Sequence, residues 1–263
     1  MQDKDLQILI QAAKAGGEVL NKYFGQALRP TEKSNHFDFQ TEADLESEKA
    51  ILSIIKKEFP DYSIYSEEEG KTQNNSEYTV IIDPLDGTNN FIIGIPNFSV
   101  SIALFHNNEP YIGVLYRPLT REVYYAIKGK GAYCNDVKIS VNNFTEPKKI
   151  TIAGIYGYKI KRSYIARVFS TIFNQTMKRV LDTWSPAYDY CMLAAGRIES
   201  CFTNGIEIYD YAAGKLIALE AGAKVIDFSG NKEENYKNDR FIISNTDEVN
   251  KYVLHTMGSV KED

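Results

Sequence analysis

The chain has 263 residues, of which 43% are hydrophobic and 25% charged, and a net charge of -5. That length holds one large domain or two packed lobes, and the composition is that of an ordinary globular chain. The acidic balance leaves no general footprint for nucleic acid or an anionic membrane, so a phosphorylated ligand would need local positive charge such as metal ions. No apolar run approaches the roughly 18 residues of a spanning helix. The opening "MQDKDLQILIQAAKAGG" lacks the basic start and apolar core of a signal peptide. Cys134, Cys191 and Cys201 form no CxxC or Cys/His cluster, which leads us to expect reduced, mostly buried thiols and a cytoplasmic location.

In chain order, residues 5–24 predict an amphipathic helix with Leu6, Leu9, Ile10, Ala13, Val19, Leu20 and Phe24 on one face. A second helix is expected from about Asp44 to Phe59, burying Leu45, Ile51, Leu52 and Ile55 and stopped by Pro60. From 62 to 127 the segments "YSIYS", "YTVIID", "SVSIALF", "YIGVLY" and "EVYYAI" read as strands, and "GKGAYCN" and "KISVNN" continue the sheet. A boundary falls near 142–149, dividing an N-terminal lobe (1–145) from a C-terminal one (146–263). Beyond it come a buried strand "KITIAGIYG", a helix over 163–178, a short helix over 186–196 ending at Gly196, and a strand in "ESCFTNGI". A helix over 210–221 follows, with Gly222 just past its end, then late strands in "AKVIDFSG" and "RFIISN". The expected class is α/β, with helices and sheets in layers.

The stretch "TVIIDPLDGTNNF" carries the most chemistry. Pro84 cannot donate a backbone hydrogen bond, so strand pairing is expected to end at Asp83. Asp86 lies one tight turn later, so both carboxylates can enter one small space. Like charges crowded together repel unless a cation intervenes. Carboxylate and carbonyl oxygens suit Mg2+, and the Leu85 carbonyl lies in the same turn. Gly87 and Thr88 offer amides to a phosphate. The plain alternative is that Pro-x-Asp-Gly is simply a turn. Glu67, Glu68 and Glu69 can likewise be a solvated acidic loop, and Asp44 and Asp210 helix N-caps.

In combination, four blocks resemble the inositol monophosphatase family of metal-dependent sugar phosphatases. They are "DFQTEAD" (38–44), "SEEEG" (66–70), "IIDPLDGTNNF" (81–91) and "YDYAAGKLIALEAGAKV" (209–225), within a likeness spanning roughly residues 5–245. The resemblance implies a layered α-β-α-β-α fold and hydrolysis of a small polyol or sugar phosphate with two to three Mg2+ ions and sensitivity to lithium. By position, Glu67 matches a bridging metal ligand. Asp83 and the Leu85 carbonyl match ligands of the first metal, and Asp86 and Asp210 those of the second. Glu68 matches an outer carboxylate near the attacking water. Thr88 and Asp44 match the pair that orients and deprotonates that water. The amides of Gly87 and Thr88 match the phosphate cradle, and Lys33 a lysine near the site. Asp86, Ser185, Pro186, Thr203 and Asp210 stand where the family meets its substrate.

The second half departs from the family pattern. In "RVLDTWSPAYDYCMLAAGR", Trp184 replaces a glycine and Pro186 an alanine, in a loop that touches the substrate ring in the family. Trp184 either reshapes the pocket or fills a core. Thr203 stands where the family has an acid that binds substrate hydroxyls, and a threonine cannot accept from two vicinal hydroxyls as a carboxylate does. The expected substrate is therefore a small phosphorylated metabolite other than myo-inositol phosphate. A 3'(2'),5'-bisphosphate nucleotidase, a fructose-1,6-bisphosphatase and a transcription- or RNA-associated protein with weak catalysis are alternatives on the same fold. The resemblance also implies a homodimer, to which the tyrosines of "EVYYAI" and "GIYGYKI" could contribute.

Overall fold

A computed structural model describes residues 2–33, 36–175, 177–233, 236–258 and 260. The chain opens with helix α1 (Gln2–Tyr23), a small hairpin of β1 (Thr31–Glu32) and β2 (Phe39–Gln40), and α2 (Glu42–Glu58). Next come β3 (Ser63–Ser66), β4 (Gly70–Thr72), β5 (Tyr78–Asp86), the single-turn α3 (Thr88–Ile92), β6 (Ser99–His106) and β7 (Glu109–Arg117). Strands β8 (Glu122–Ile127), β9 (Ala132–Cys134) and β10 (Val137–Ile139) complete an eight-stranded sheet of order β10-β9-β8-β7-β6-β5-β3-β4. It is antiparallel except where β3 runs parallel to β5.

The later chain supplies β11 (Thr151–Tyr156), α4 (Arg162–Phe173), β12 (Arg179–Leu181), α5 (Pro186–Ala194), β13 (Ser200–Asn204), α6 (Ile208–Glu220), β14 (Lys224–Asp227), β15 (Arg240–Ser244) and α7 (Asp247–Gly258). Its strands form a second sheet of order β12-β11-β13-β15-β14.

Side chains alternate across a strand with period two, and this sets the layers. Val80 and Ile82 join α1 and α2 in one core, while Ile81 on the other face meets α5 and α6. Ala153, Cys201 and Ile243 of the second sheet close on the same α5/α6 layer from its far side. Ile152, Phe202 and Ile242 face α4 and α7. The order is thus helices, sheet, helices, sheet, helices. Asp83 shares a face with Ile81, so it points toward the layer that carries Asp210.

Several expectations change. Strand β5 does not stop at Asp83. It resumes pairing at Asp86 opposite Ser99 after an irregularity in register, because a bulge absorbs the proline. Leu45 is exposed, since Ala43, Asp44, Ser47 and Glu48 take the buried face of the first turns of α2. The helix expected over 163–178 ends at Phe173 and gives way to β12. Hairpin β1/β2, strand β4 and helix α7 were not expected. Tyr124 of "EVYYAI" lies fully within the chain's own core. Cys191 and Cys201 are buried, Cys134 is half-buried, and all three thiols are free. Among the described residues no helix is long and apolar enough to cross a membrane.

Candidate metal and phosphate site

Asp44 and Asp210 are not N-caps. Each is the third residue of its helix, with Thr41 and Glu207 in the cap positions. Asp44 Oδ2 accepts from Thr41 N at 2.8 Å and from Thr41 Oγ1 at 2.5 Å. Its other oxygen, Oδ1, accepts from Thr88 Oγ1 at 2.9 Å. The single hydroxyl proton of Thr88 has one rival acceptor, the Leu85 carbonyl at 3.0 Å. Asp210 Oδ2 accepts from Glu207 N at 2.9 Å.

The turn after β5 is held from both sides. Asp83 Oδ1 accepts from Leu85 N at 3.0 Å, and Ser47 Oγ donates to Pro84 O at 2.8 Å. Gly87 has φ 93°, and a Cβ there would stand 2.8 Å from the Asn97 carbonyl oxygen, so only glycine fits. Asp86 is 2% exposed and is wrapped by donors: Ser185 Oγ, Ser99 Oγ at 2.8 Å and Ala187 N at 3.1 Å. Pro186 opens α5 and so aims the Ala187 amide at Asp86.

Lys33 Nζ reaches Glu67 Oε1 at 2.7 Å and Glu68 Oε1 at 2.8 Å. Gln40 Nε2 donates to the other oxygen of Glu68. Burial works against the Lys33 charge, but Glu67 and Glu68 overcome it and hold the ammonium protonated well beyond its ordinary range.

The carboxylates destabilise one another's charge. Burial pushes Glu67 up to about 7, with Lys33 opposing and Glu68 adding to the rise. Burial lifts Asp86 to about 6 against its hydrogen bonds, and Asp44 likewise to about 6. Asp83 and Asp210 are raised well above the carboxylate range by burial first, then by Glu67 and Asp86. Among the described residues no three stand at metal-holding spacing, and Glu67 is paired with Lys33. The donor set is all oxygen, mutually repelling and rich in carboxylate, which is the chemistry that a hard divalent cation such as Mg2+ relieves.

The structure therefore brings together Lys33, Asp44, Glu67, Glu68, Asp83, Leu85, Asp86, Gly87, Thr88, Ser185, Pro186 and Asp210. Thr203 stands apart. It is fully buried, and its hydroxyl pairs with Tyr190 OH at 2.6 Å. Trp184 fills no core, being 45% exposed. A polar groove at the other end of β5, lined by Asn75, Ser76, Glu77, Thr79, Asn107 and Asn108, has one carboxylate and no cation. It offers no comparable chemistry.

Sequence reasoning missed Glu48. This carboxylate is 3% exposed and accepts from Ser66 Oγ and from the amides of Glu68 and Glu69, both at 3.1 Å, so it sets the acidic loop in place. The signal was present, since Glu48 lies four residues after Asp44 and shares its helix face. Glu48→Ala is expected to cost about 2–4 kcal/mol in thermal or urea unfolding, because buried donors lose their acceptor.

A profile of the inositol monophosphatase family matches residues 1–262. The chain is 38% identical over 234 residues to the Nus factor SuhB of Pasteurella multocida, covering 86% of this chain and 85% of that one. It is 35% identical over 223 residues to a fructose-1,6-bisphosphatase/inositol-1-monophosphatase of Aquifex aeolicus, covering 83% and 84% of the two chains. The solved structure of a Thermotoga maritima IMPase superposes with a TM-score of 0.88 at 32% identity, covering 99% of this chain and 98% of that one. Fold, acidic turn and relatives agree: the chain belongs to the inositol monophosphatase family.

Proposed function

We propose that the chain is a Mg2+-dependent phosphomonoesterase acting on a small phosphorylated metabolite. The observation that carries this reading is the Thr88 hydroxyl, 2.9 Å from Asp44 and 3.0 Å from the Leu85 carbonyl, beside buried carboxylates that repel one another. Glu67, Asp83, the Leu85 carbonyl, Asp86 and Asp210 would hold the ions. Bound there, Mg2+ supplies Lewis acidity toward the attacking water and the departing alkoxide oxygen.

The chain's own groups do the rest. Asp44 Oδ1 is the nearer of the two acceptors for the Thr88 proton, and a Leu85 carbonyl that served a cation would leave that proton to Asp44. The Thr88 oxygen then presents its lone pairs to a water and accepts its proton as its own passes to Asp44 Oδ1. Asp44, raised to about 6 by burial, is well suited to take up that proton. The amides of Gly87 and Thr88, at the start of α3, receive phosphoryl oxygens. Ser185, Ser99 and the Ala187 amide keep Asp86 in one orientation.

The test is hydrolysis of β-glycerophosphate, inositol phosphates, fructose 1,6-bisphosphate and adenosine 3',5'-bisphosphate with and without Mg2+. Turnover of at least one ester is expected only with Mg2+, inhibited by millimolar lithium and lowered about 10²-fold or more in Thr88→Val. Absence of metal-dependent turnover across the panel would sink the reading.

The relatives named Nus factor SuhB favour a second reading, association with the transcription apparatus. A chain serving only in that way would have no use for four crowded acids. Its activity in a transcription assay would survive Asp83→Asn unchanged.

A further inference from the structure

Two exposed aromatic side chains stand beside the phosphate turn, and the chemistry above uses neither. Trp184 is 45% exposed and Tyr158 42%. Their ring centroids lie 6.4 Å apart with the planes inclined at 46°. Both are tied to site residues. Asn89, next to Thr88, donates from Nδ2 to Tyr158 OH at 3.1 Å and to Phe37 O at 3.1 Å. Trp184 directly precedes Ser185, which bonds Asp86. Asn90, two residues past Thr88, holds Thr183 O at 2.7 Å and reaches Trp184 O at 3.4 Å. The Tyr158 phenol is held neutral by the partial desolvation of its inner side and then by the charges of Asp38, Asp210 and Glu67.

Trp184 also sits in a conformation that disfavours it. Its φ is 54°, in the left-handed region where a side chain is strained and a glycine is not. Exposed as it is, the ring recovers little of that cost by burial. Strain held at the rim of a site points to use. Thr203, which stands where the resemblance places contacts to substrate hydroxyls, commits its hydroxyl to Tyr190 inside the core.

We propose that Tyr158 and Trp184 form a stacking wall for the leaving-group half of the substrate, and that the preferred ester carries a planar aromatic ring, as a nucleoside monophosphate does. This rests on the phosphatase reading above. Flat rings stack on aromatic side chains with little regard to their hydrogen-bonding edges, and one such contact is worth about tenfold or more in affinity. A polyol ring has no π-face and gains less from such a contact.

Adenosine 5'-monophosphate and ribose 5-phosphate share phosphate and pentose and differ in the base, so they isolate the wall. Trp184 is the sole tryptophan of the chain, and its emission reports ring contact directly. With Mg2+ present, the adenosine ester is expected to quench that emission saturably and ribose 5-phosphate to leave it unchanged. kcat/KM should favour the adenosine ester by about tenfold or more. Trp184→Gly suits the left-handed backbone, so the variant folds, and there the preference should fall close to unity, as it should in Tyr158→Leu. Equal kcat/KM for the two esters, or emission indifferent to both, overturns the proposal. Saturable quenching without turnover of either ester would sink the phosphatase reading alone and leave the stacking wall standing.

Discussion

Asp83→Asn is expected to abolish metal-dependent hydrolysis while raising the melting temperature of the metal-free protein. The two effects have one cause. Asp83 is 2% exposed, and its carboxylate is disfavoured by burial and by Glu67, Asp86 and Asp210. A group whose folded pKa lies above its unfolded value gives stability that is present at low pH and lost as pH rises through the folded pKa. At neutral pH without metal, Asp83 therefore weakens the fold. An asparagine keeps an oxygen for the Leu85 amide, now 3.0 Å from Asp83 Oδ1, and sheds the charge. A gain of only about 1 kcal/mol would appear as a rise of about 2–4 °C. Loss of a ligand to the catalytic ions removes several kcal/mol of transition-state stabilisation, about 10³-fold or more in kcat. Thermal scans with and without Mg2+ check both halves. Wild type should gain stability from Mg2+ and the variant little. A variant that still turns over substrate would refute the assignment of Asp83.

Gly157→Ala is expected to be the most damaging single methyl among the described glycines. A Cβ at Gly157 would stand 1.6 Å from the Gly205 carbonyl oxygen and 2.5 Å from its carbon. Both contacts are backbone, so no rotamer relieves them and the ends of β11 and β13 must part. That would break the bond from Gly157 N to Asn204 O at 2.9 Å. Overpacking of this kind costs on the order of 3 kcal/mol or more, seen as a melting point lower by about 6–12 °C. Activity should fall with it, because the same two strand ends lead to Tyr158 on one side and to Asp210 on the other. Calorimetry alongside the phosphatase assay tests this, and an unaltered melting temperature would show that the close approach is not needed.

The long elements were legible because their periods are long. Leu6, Leu9, Ala13 and Leu20 mark α1, and the Val/Ile runs of β5, β6 and β7 mark a sheet buried on both faces. Strands β1, β2, β4 and β12, of two or three residues each, are too short for a period to register. Helix α7 did carry a stripe, with Val249, Val253 and Met257 at helical spacing, and that signal went unread. The shift of the buried face of α2 from Leu45 toward Asp44 and Glu48 could not come from hydropathy, since a polar site draws polar side chains inward. Within the site, the motifs named the acids. They did not reveal that Lys33 spans Glu67 and Glu68, or that Thr203 turns to Tyr190, because these pairings depend on contacts across 34, 35 and 13 residues of sequence.

Asp44 and Asp210 each hold the first turn of a helix as well as facing the site. Replacing either would cost its helix a partner whether or not a cation binds, so such a loss would say little about the site. Asp83 stands differently. Folding asks of it only an oxygen for the Leu85 amide, which asparagine offers without the repulsion. The charge it carries beyond that oxygen does nothing for the fold itself, and only a cation bound beside it would turn that charge to advantage.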